Sequence, residues 1–182
     1  PDIVHLSHAY STKSNTTKTK DIVGFIESTD YKIYILEEFM TRELAHTLKE
    51  LDHVFISDIR SNIYNLPFPS DFDIYWNNSM MYNWMMILKP VLSMIKMRMP
   101  YGTDKLKIKD DDYIMSEFSE SKNNGIDFLE SYHKNIVILP VGEFYIQPWA
   151  GRSSSELRMV IDGKDLTTIK QYDISMIEDK MF

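Results

Sequence analysis

Residues 53–100 hold the pattern that most restricts the possible folds: an apolar run, a helical segment and a second apolar run, separated by turns rich in proline. Residues 53–59 (HVFISDI) are apolar and end in a polar cluster, as a buried parallel strand does on leaving its sheet. Pro67-Phe68-Pro69-Ser70-Asp71 reads as a turn-rich connection. Residues 76–88 then place Trp76, Met80, Trp84 and Ile87 with Leu88 on one helical face, and Pro90 stops the helix. Residues 91–99 (VLSMIKMRM) fit a second strand, carrying Lys96 and Arg98 and ended by Pro100. A strand, a crossover helix and a second strand predict an α/β fold.

Upstream, residues 3–6 could form a short strand, and the Ser/Thr/Lys-rich stretch 11–20 reads as a loop. Residues 31–39 (YKIYILEEF) are β-rich. Thr41 offers an N-cap for a helix over 42–51, whose Leu44, Leu48 and Leu51 share a face. Downstream, residues 102–134 are charged and polar and read as an insertion with little core of its own. Residues 144–149 and 156–161 read as the last two strands, an antiparallel hairpin joined by Ala150-Gly151-Arg152-Ser153-Ser154-Ser155, and 173–182 as the start of a helix. The expected architecture is a mostly parallel sheet with one antiparallel edge.

With 182 residues, the chain has room for one domain with a sizeable core. It has no cysteine, which excludes disulfides and thiolate chemistry. No apolar run reaches the roughly 18–20 residues needed to span a bilayer, so no membrane role is expected. Pro1 in place of an initiator Met is expected of a processed product or a piece of something longer. The net charge of −7 argues against a coat held on nucleic acid by phosphate attraction alone. A local basic groove remains open, drawing on Arg60, Lys89, Lys96, Arg98, Lys105, Lys107, Lys109, Arg152 and Arg158. The five histidines show no metal-ligand spacing, so no metal site is expected. The acidic run Asp110-Asp111-Asp112 reads as a solvated turn before a divalent-ion site.

Three charged residues stand at conspicuous places on the expected strands. Asp58 lies at the carboxyl end of an apolar run, where open α/β sheets bind ligands, or else serves as a turn or cap residue. Lys96 interrupts Met94-Ile95-Lys96-Met97, as a reactive lysine or as a solvent-facing residue of an edge strand. Glu156 opens a strand directly after a serine-rich loop.

In this order, and in their local contexts, the three resemble a known constellation. Phe55-Ile56-Ser57-Asp58-Ile59-Arg60-Ser61, Leu88-Lys89-Pro90-Val91 and Lys96-Met97-Arg98-Met99-Pro100-Tyr101 carry the likeness. It continues in Gly142 through Ile146-Gln147-Pro148-Trp149, in Ser154-Ser155-Glu156-Leu157-Arg158, and more weakly from Asp173 to Met181. Together these segments are similar to the poxvirus-type family of cap-specific mRNA 2′-O-methyltransferases, which also serve as the small subunit of the viral poly(A) polymerase. The likeness covers roughly the second two-thirds of the chain apart from 102–134.

The resemblance implies a Rossmann-like fold that binds S-adenosylmethionine and a Lys-Asp-Lys-Glu tetrad, with Asp58, Lys96 and Glu156 as its last three members. Lys96 would then be the base for the ribose 2′-hydroxyl, since a lysine whose charge is disfavoured by a second cation and desolvation can take a proton. Asp58 would also lie near the methionine moiety of the cofactor, and Leu36 near its adenine. The resemblance further places Tyr101 as the ring that stacks on the methylated guanine of the cap, with Asp104 (or Thr103) and Glu178 as acceptors for the guanine edge. Arg60, Arg152 and Arg158 become candidates for transcript phosphates, or for structural pairing with acids.

Two parts of the family pattern are missing. The six glycines include no G-x-G pair, and no lysine before Asp58 stands in the context of the first tetrad member. An enzyme lacking its amino-terminal Gly-loop portion and a degenerate domain that has lost its cofactor both fit. The expected partners are capped mRNA and a poly(A) polymerase, RNA polymerase or capping-enzyme subunit, in the host cytoplasm or virion. The alternative function is a non-catalytic cap- or RNA-binding module or polymerase accessory, and a third is an unrelated α/β domain.

Overall fold

The computed structural model describes residues 22–27, 32–36, 39–49, 53–100, 102, 111–146 and 156–178. The chain divides into two compact units, Pro1–Asp52 and His53–Phe182.

In the first unit, β1 (Ile22–Glu27) pairs with β2 (Lys32–Leu36) in an antiparallel hairpin that aligns Phe25 with Tyr34. Helix α1 (Arg42–Leu48) follows, and Thr41 Oγ1 accepts from Leu44 N at 3.2 Å, the cap expected from the sequence. The possible strand at 3–6 and the loop at 11–20 lie outside the described residues.

The second unit is α/β, with a mixed four-stranded sheet. Strand β3 (Val54–Ser57) runs parallel to β4 (Leu92–Arg98), as the strand–helix–strand pattern requires. Beyond β4 lie β7 (Glu156–Asp162) and then β6 (Glu143–Ile146), in the order β3-β4-β7-β6. Both β4–β7 and β7–β6 pair antiparallel, so β3, β4 and β6 share a direction and β7 alone is reversed. The expected hairpin is therefore β6–β7, but the sheet is not mostly parallel: only β3–β4 pairs that way, because the reversed strand is interior and not at an edge. Period-2 alternation along β7 cannot reveal that, because it reads the same with one neighbour or two. A further pair, β5 (Val137–Pro140) with β8 (Ile169–Tyr172), forms a separate antiparallel ladder that the sequence reading did not anticipate.

Between β3 and β4, helix α2 (Asp71–Leu88) covers one face of the sheet. Its start is a capping box: Ser70 Oγ accepts from Asp73 N, while the Asp73 carboxylate accepts from Ser70 N. Lys89 ends it in the left-handed conformation (φ 51°) ahead of Pro90. Fifteen of its eighteen residues are buried, so it is the core helix that the Trp/Met-rich segment 76–88 is most simply read as, extended to begin at Asp71. From the sheet, Ser93, Ile95, Met97, Leu157, Met159 and Ile161 fill the same buried face.

Residues 102–134 correct the sequence reading most. Far from lacking a core, they supply α3 (Asp112–Asn123) and α4 (Phe128–Lys134), whose Ile114, Phe118 and Phe128, with Ile126 between the two helices, are at most 4% exposed. Phe72 of α2 meets Phe118 and Tyr132 at ring-centroid distances of 5.6 and 5.4 Å. Tyr82 OH donates to Asn124 O at 2.8 Å, and Asn83 Nδ2 donates to the buried Glu117 carboxylate at 2.7 Å. A few well-spaced apolar residues among many charges suffice to bury one face of a helix. Asp111 is the N-cap of α3, accepting from Tyr113 N and Ile114 N, so at least this member of the acidic run starts a helix.

Candidate active site

The site grows from strand register. Ser57 lies beside Ile95, so the next residue of the chain, Asp58, emerges at the carboxyl end of β3 beside Lys96. Across the sheet, Lys96 pairs directly with Arg158, and directly opposed residues share a face. Asp58 Oδ1 accepts from Lys96 Nζ at 2.9 Å and from Arg158 Nη2 at 2.8 Å. One carboxylate oxygen thus clamps two cations that would otherwise repel.

Burial sharpens the arrangement. The Lys96 and Arg158 side chains are only 13% and 15% exposed, whereas Asp58 is 62% exposed. Lys96 is therefore not the solvent-facing lysine of an edge strand, because β4 has a neighbour on each side. Burial works against a charged Asp58, but the Lys96 hydrogen bond and charge, joined by the Arg158 guanidinium, outweigh it and hold the carboxyl below its ordinary range. Glu156 opens β7 opposite Arg98, two residues before Arg158, and so belongs to the same face and the same end of the sheet.

Arg158 is the residue whose role changes most. Of its two expected roles, phosphate ligand or partner of an acid, the pairing with Asp58 is the one it adopts. Its i+2 spacing from Glu156 was the available signal, since alternate residues of a strand share a face. Arg60 is exposed and lines a cavity of about 30 Å³ beside Lys96, Arg98, Asn77 and Asn78. That volume holds one or two waters.

The loop leading from Asp58 to α2 is fastened by a residue that the sequence reading overlooked. Asp73, fully buried, accepts from Ser61 Oγ and Ile63 N on one oxygen and from Ser70 N and Oγ on the other. The Ser-x-x-Asp spacing of a capping box was its visible signature.

Of the remaining candidates, Tyr101, Thr103, Asp104 and Arg152 lie outside the described residues, as do the side chains of Leu36, Glu156 and Glu178. Leu36 ends β2 and Glu178 ends the short helix α5 (Ile174–Glu178). Gly102 N donates to Asp71 Oδ2 at 2.7 Å, which ties the position after Tyr101 to the first turn of α2. Among the described residues no group of three His, Asp or Glu could hold a metal, and no helix is long and apolar enough to cross a membrane. No protein-family model and no curated protein matches this chain.

Proposed function

We propose that the chain is the S-adenosylmethionine-dependent part of an mRNA cap 2′-O-methyltransferase. The observation that carries this reading is the clamp of Asp58 on Lys96 and Arg158, at the carboxyl ends of the parallel strands where open α/β sheets bind ligands. The likeness noted in the sequence supports it, because its Asp, Lys and Glu come from β3, β4 and β7 to one end of one sheet.

The residues present fit the cofactor at one point. Asp58 commits only Oδ1 to its two cations, so its largely exposed carboxyl keeps Oδ2 available to an ammonium group such as that of the methionine moiety. When bound, S-adenosylmethionine supplies an electrophilic methyl on its sulfonium. That methyl would be transferred to the ribose oxygen, and Lys96, acting as the neutral amine, would hydrogen-bond the 2′-hydroxyl and take its proton. Asp58 fixes the direction of the lysine, and Arg158 fixes Asp58. Positioning supplies much of the remaining acceleration, since nucleophile, methyl and sulfur must align. Capped mRNA is the substrate in this reading, with a polymerase or capping-enzyme subunit as partner in the host cytoplasm or virion.

A second reading keeps the fold as a cap- or RNA-binding accessory, favoured by the absence of any G-x-G pair among the six glycines. Lys96→Ala separates the two when capped RNA and radiolabelled S-adenosylmethionine are given to the full-length protein. The enzyme reading expects transfer to fall by about 10²–10⁴-fold with cap binding retained. Undiminished turnover in the variant, or no turnover and no calorimetric binding of S-adenosylmethionine in the wild type, overturns it.

A further inference from the structure

The ion-paired cluster does not stop at Arg158. Strand β6 places Tyr145 directly opposite Arg158, so Lys96, Arg158 and Tyr145 form one row on one face of β4, β7 and β6, with Asp58 at its β3 end. The Tyr145 side of this row is open: the residue is 50% exposed. Its hydroxyl donates to Glu143 Oε2 at 2.6 Å, anchoring the ring at its tip. That carboxylate also raises the phenol's pKa and keeps the hydroxyl a donor.

We propose that Tyr145 is a stacking platform for a base of single-stranded RNA, continuing the Asp58–Lys96–Arg158 row away from the reacting ribose. Only the placement of a ribose at Lys96 rests on the methyltransferase reading; the platform itself rests on register and exposure. Adjacent strands lie about 4.8 Å apart, so Tyr145 stands about 10 Å from Lys96 along the row. At about 3.4 Å per stacked nucleotide, that is within the first few bases of the transcript.

The surroundings favour a base over a protein side chain. An interface anchor sits in a desolvated apolar patch, whereas Tyr145 has Arg158 opposite it and Glu143 beside it. The exposed apolar residues Val54 and Ile56 belong to β3, at the opposite edge of the sheet, and the half-exposed Ile146 beside Tyr145 alternates to the other face of β6. A nucleobase offers a π-face to the ring and polar edges to such neighbours, and stacking of this kind tolerates any sequence.

Fluorescence anisotropy of an uncapped, fluorescein-labelled oligo(A) hexamer on the full chain tests the proposal. Tyr145→Ala should weaken binding about 5- to 100-fold, the loss of one base–aromatic stack. Tyr145→Phe, which keeps the ring, should restore it. The dependence of affinity on salt should have the same slope in wild type and Tyr145→Ala, because no phosphate contact is removed. Equal affinity of wild type and Tyr145→Ala, or a loss as large in Tyr145→Phe, overturns the platform. A Tyr145-dependent affinity in a protein that transfers no methyl group overturns the enzyme reading alone and leaves the platform standing.

Discussion

Two aspartates at opposite ends of one loop show how differently this protein uses the same side chain. Asp73 is fully buried at the start of α2 and accepts four hydrogen bonds, from two hydroxyls and two backbone amides. Asp58 is mostly exposed at the end of β3 and holds a lysine and an arginine through a single oxygen. The first has no bonding capacity to spare and fastens the loop to the helix. The second keeps an oxygen and a solvent-facing side free, which is what a group that meets a ligand needs. Saturation separates a structural acid from one available for chemistry.

The contrast can be broken most directly at Asp73. Asp73→Ala leaves the buried Ser70 amide and the half-buried Ile63 amide without this acceptor, leaves the Ser61 hydroxyl to Asn77, and breaks the capping box, so it should cost on the order of 3 kcal/mol in urea unfolding. Asp58→Ala should cost less by the same measurement, about 1–2 kcal/mol, because the aspartate itself is mostly exposed although its loss leaves the largely buried Lys96 and Arg158 charges without this counter-ion; on the proposed function it should also remove methyl transfer. Equal destabilisation by the two substitutions would erase the distinction.

A somewhat smaller effect is expected between α2 and α3. Asn83 and Glu117 are both fully buried, and Asn83 Nδ2 donates to the Glu117 backbone carbonyl and carboxylate. Asn83→Leu alone should cost about 2 kcal/mol by taking the Asn83 donor away from that buried carboxylate. Adding Glu117→Met should recover much of the loss, since an apolar pair of similar volume needs no donors. Additive losses in this double-mutant cycle would place Glu117 outside the class to which Asp73 belongs.

The smallest effect is the titration of Asp58. Its folded-state pKa lies below the ordinary value, so its contribution to stability is present above the unfolded-state pKa of about 4 and is lost as pH falls through the lower folded value. Exposure limits that contribution to about 1 kcal/mol or less. Carboxyl NMR should show its midpoint below that of a model aspartate, and Arg158→Ala should move it upward. A midpoint that ignores Arg158 would show that the shared oxygen does not matter.

Much of the second unit was legible along the chain. The turn at 67–71, Pro90 and Pro100 bracketed α2 and β4, because proline removes a donor and limits backbone angles wherever it occurs. Asp58 and Lys96 stood out because a charge in an apolar strand conflicts with its surroundings. Arg158 did not, since its role depends on β7 lying against β4 in one register. The helices of 102–134 were hidden by their charge, because a helix that buries a third of its surface shows two-thirds of it to water.

What the amino-acid order determined by itself were features that depend on near neighbours: the caps at Thr41 and Ser70, the stop at Lys89-Pro90, and the alternation along β4. These follow from backbone sterics and hydrogen bonds spanning three or four residues. Only the tertiary structure decided that β7 is interior, that residues 112–134 pack on α2, and that Arg158 shares a carboxylate with Lys96. Those outcomes join groups as far apart as residues 58 and 158. Pairing over such separations is selected by which faces can be buried and which charges neutralised together, and no local pattern encodes it.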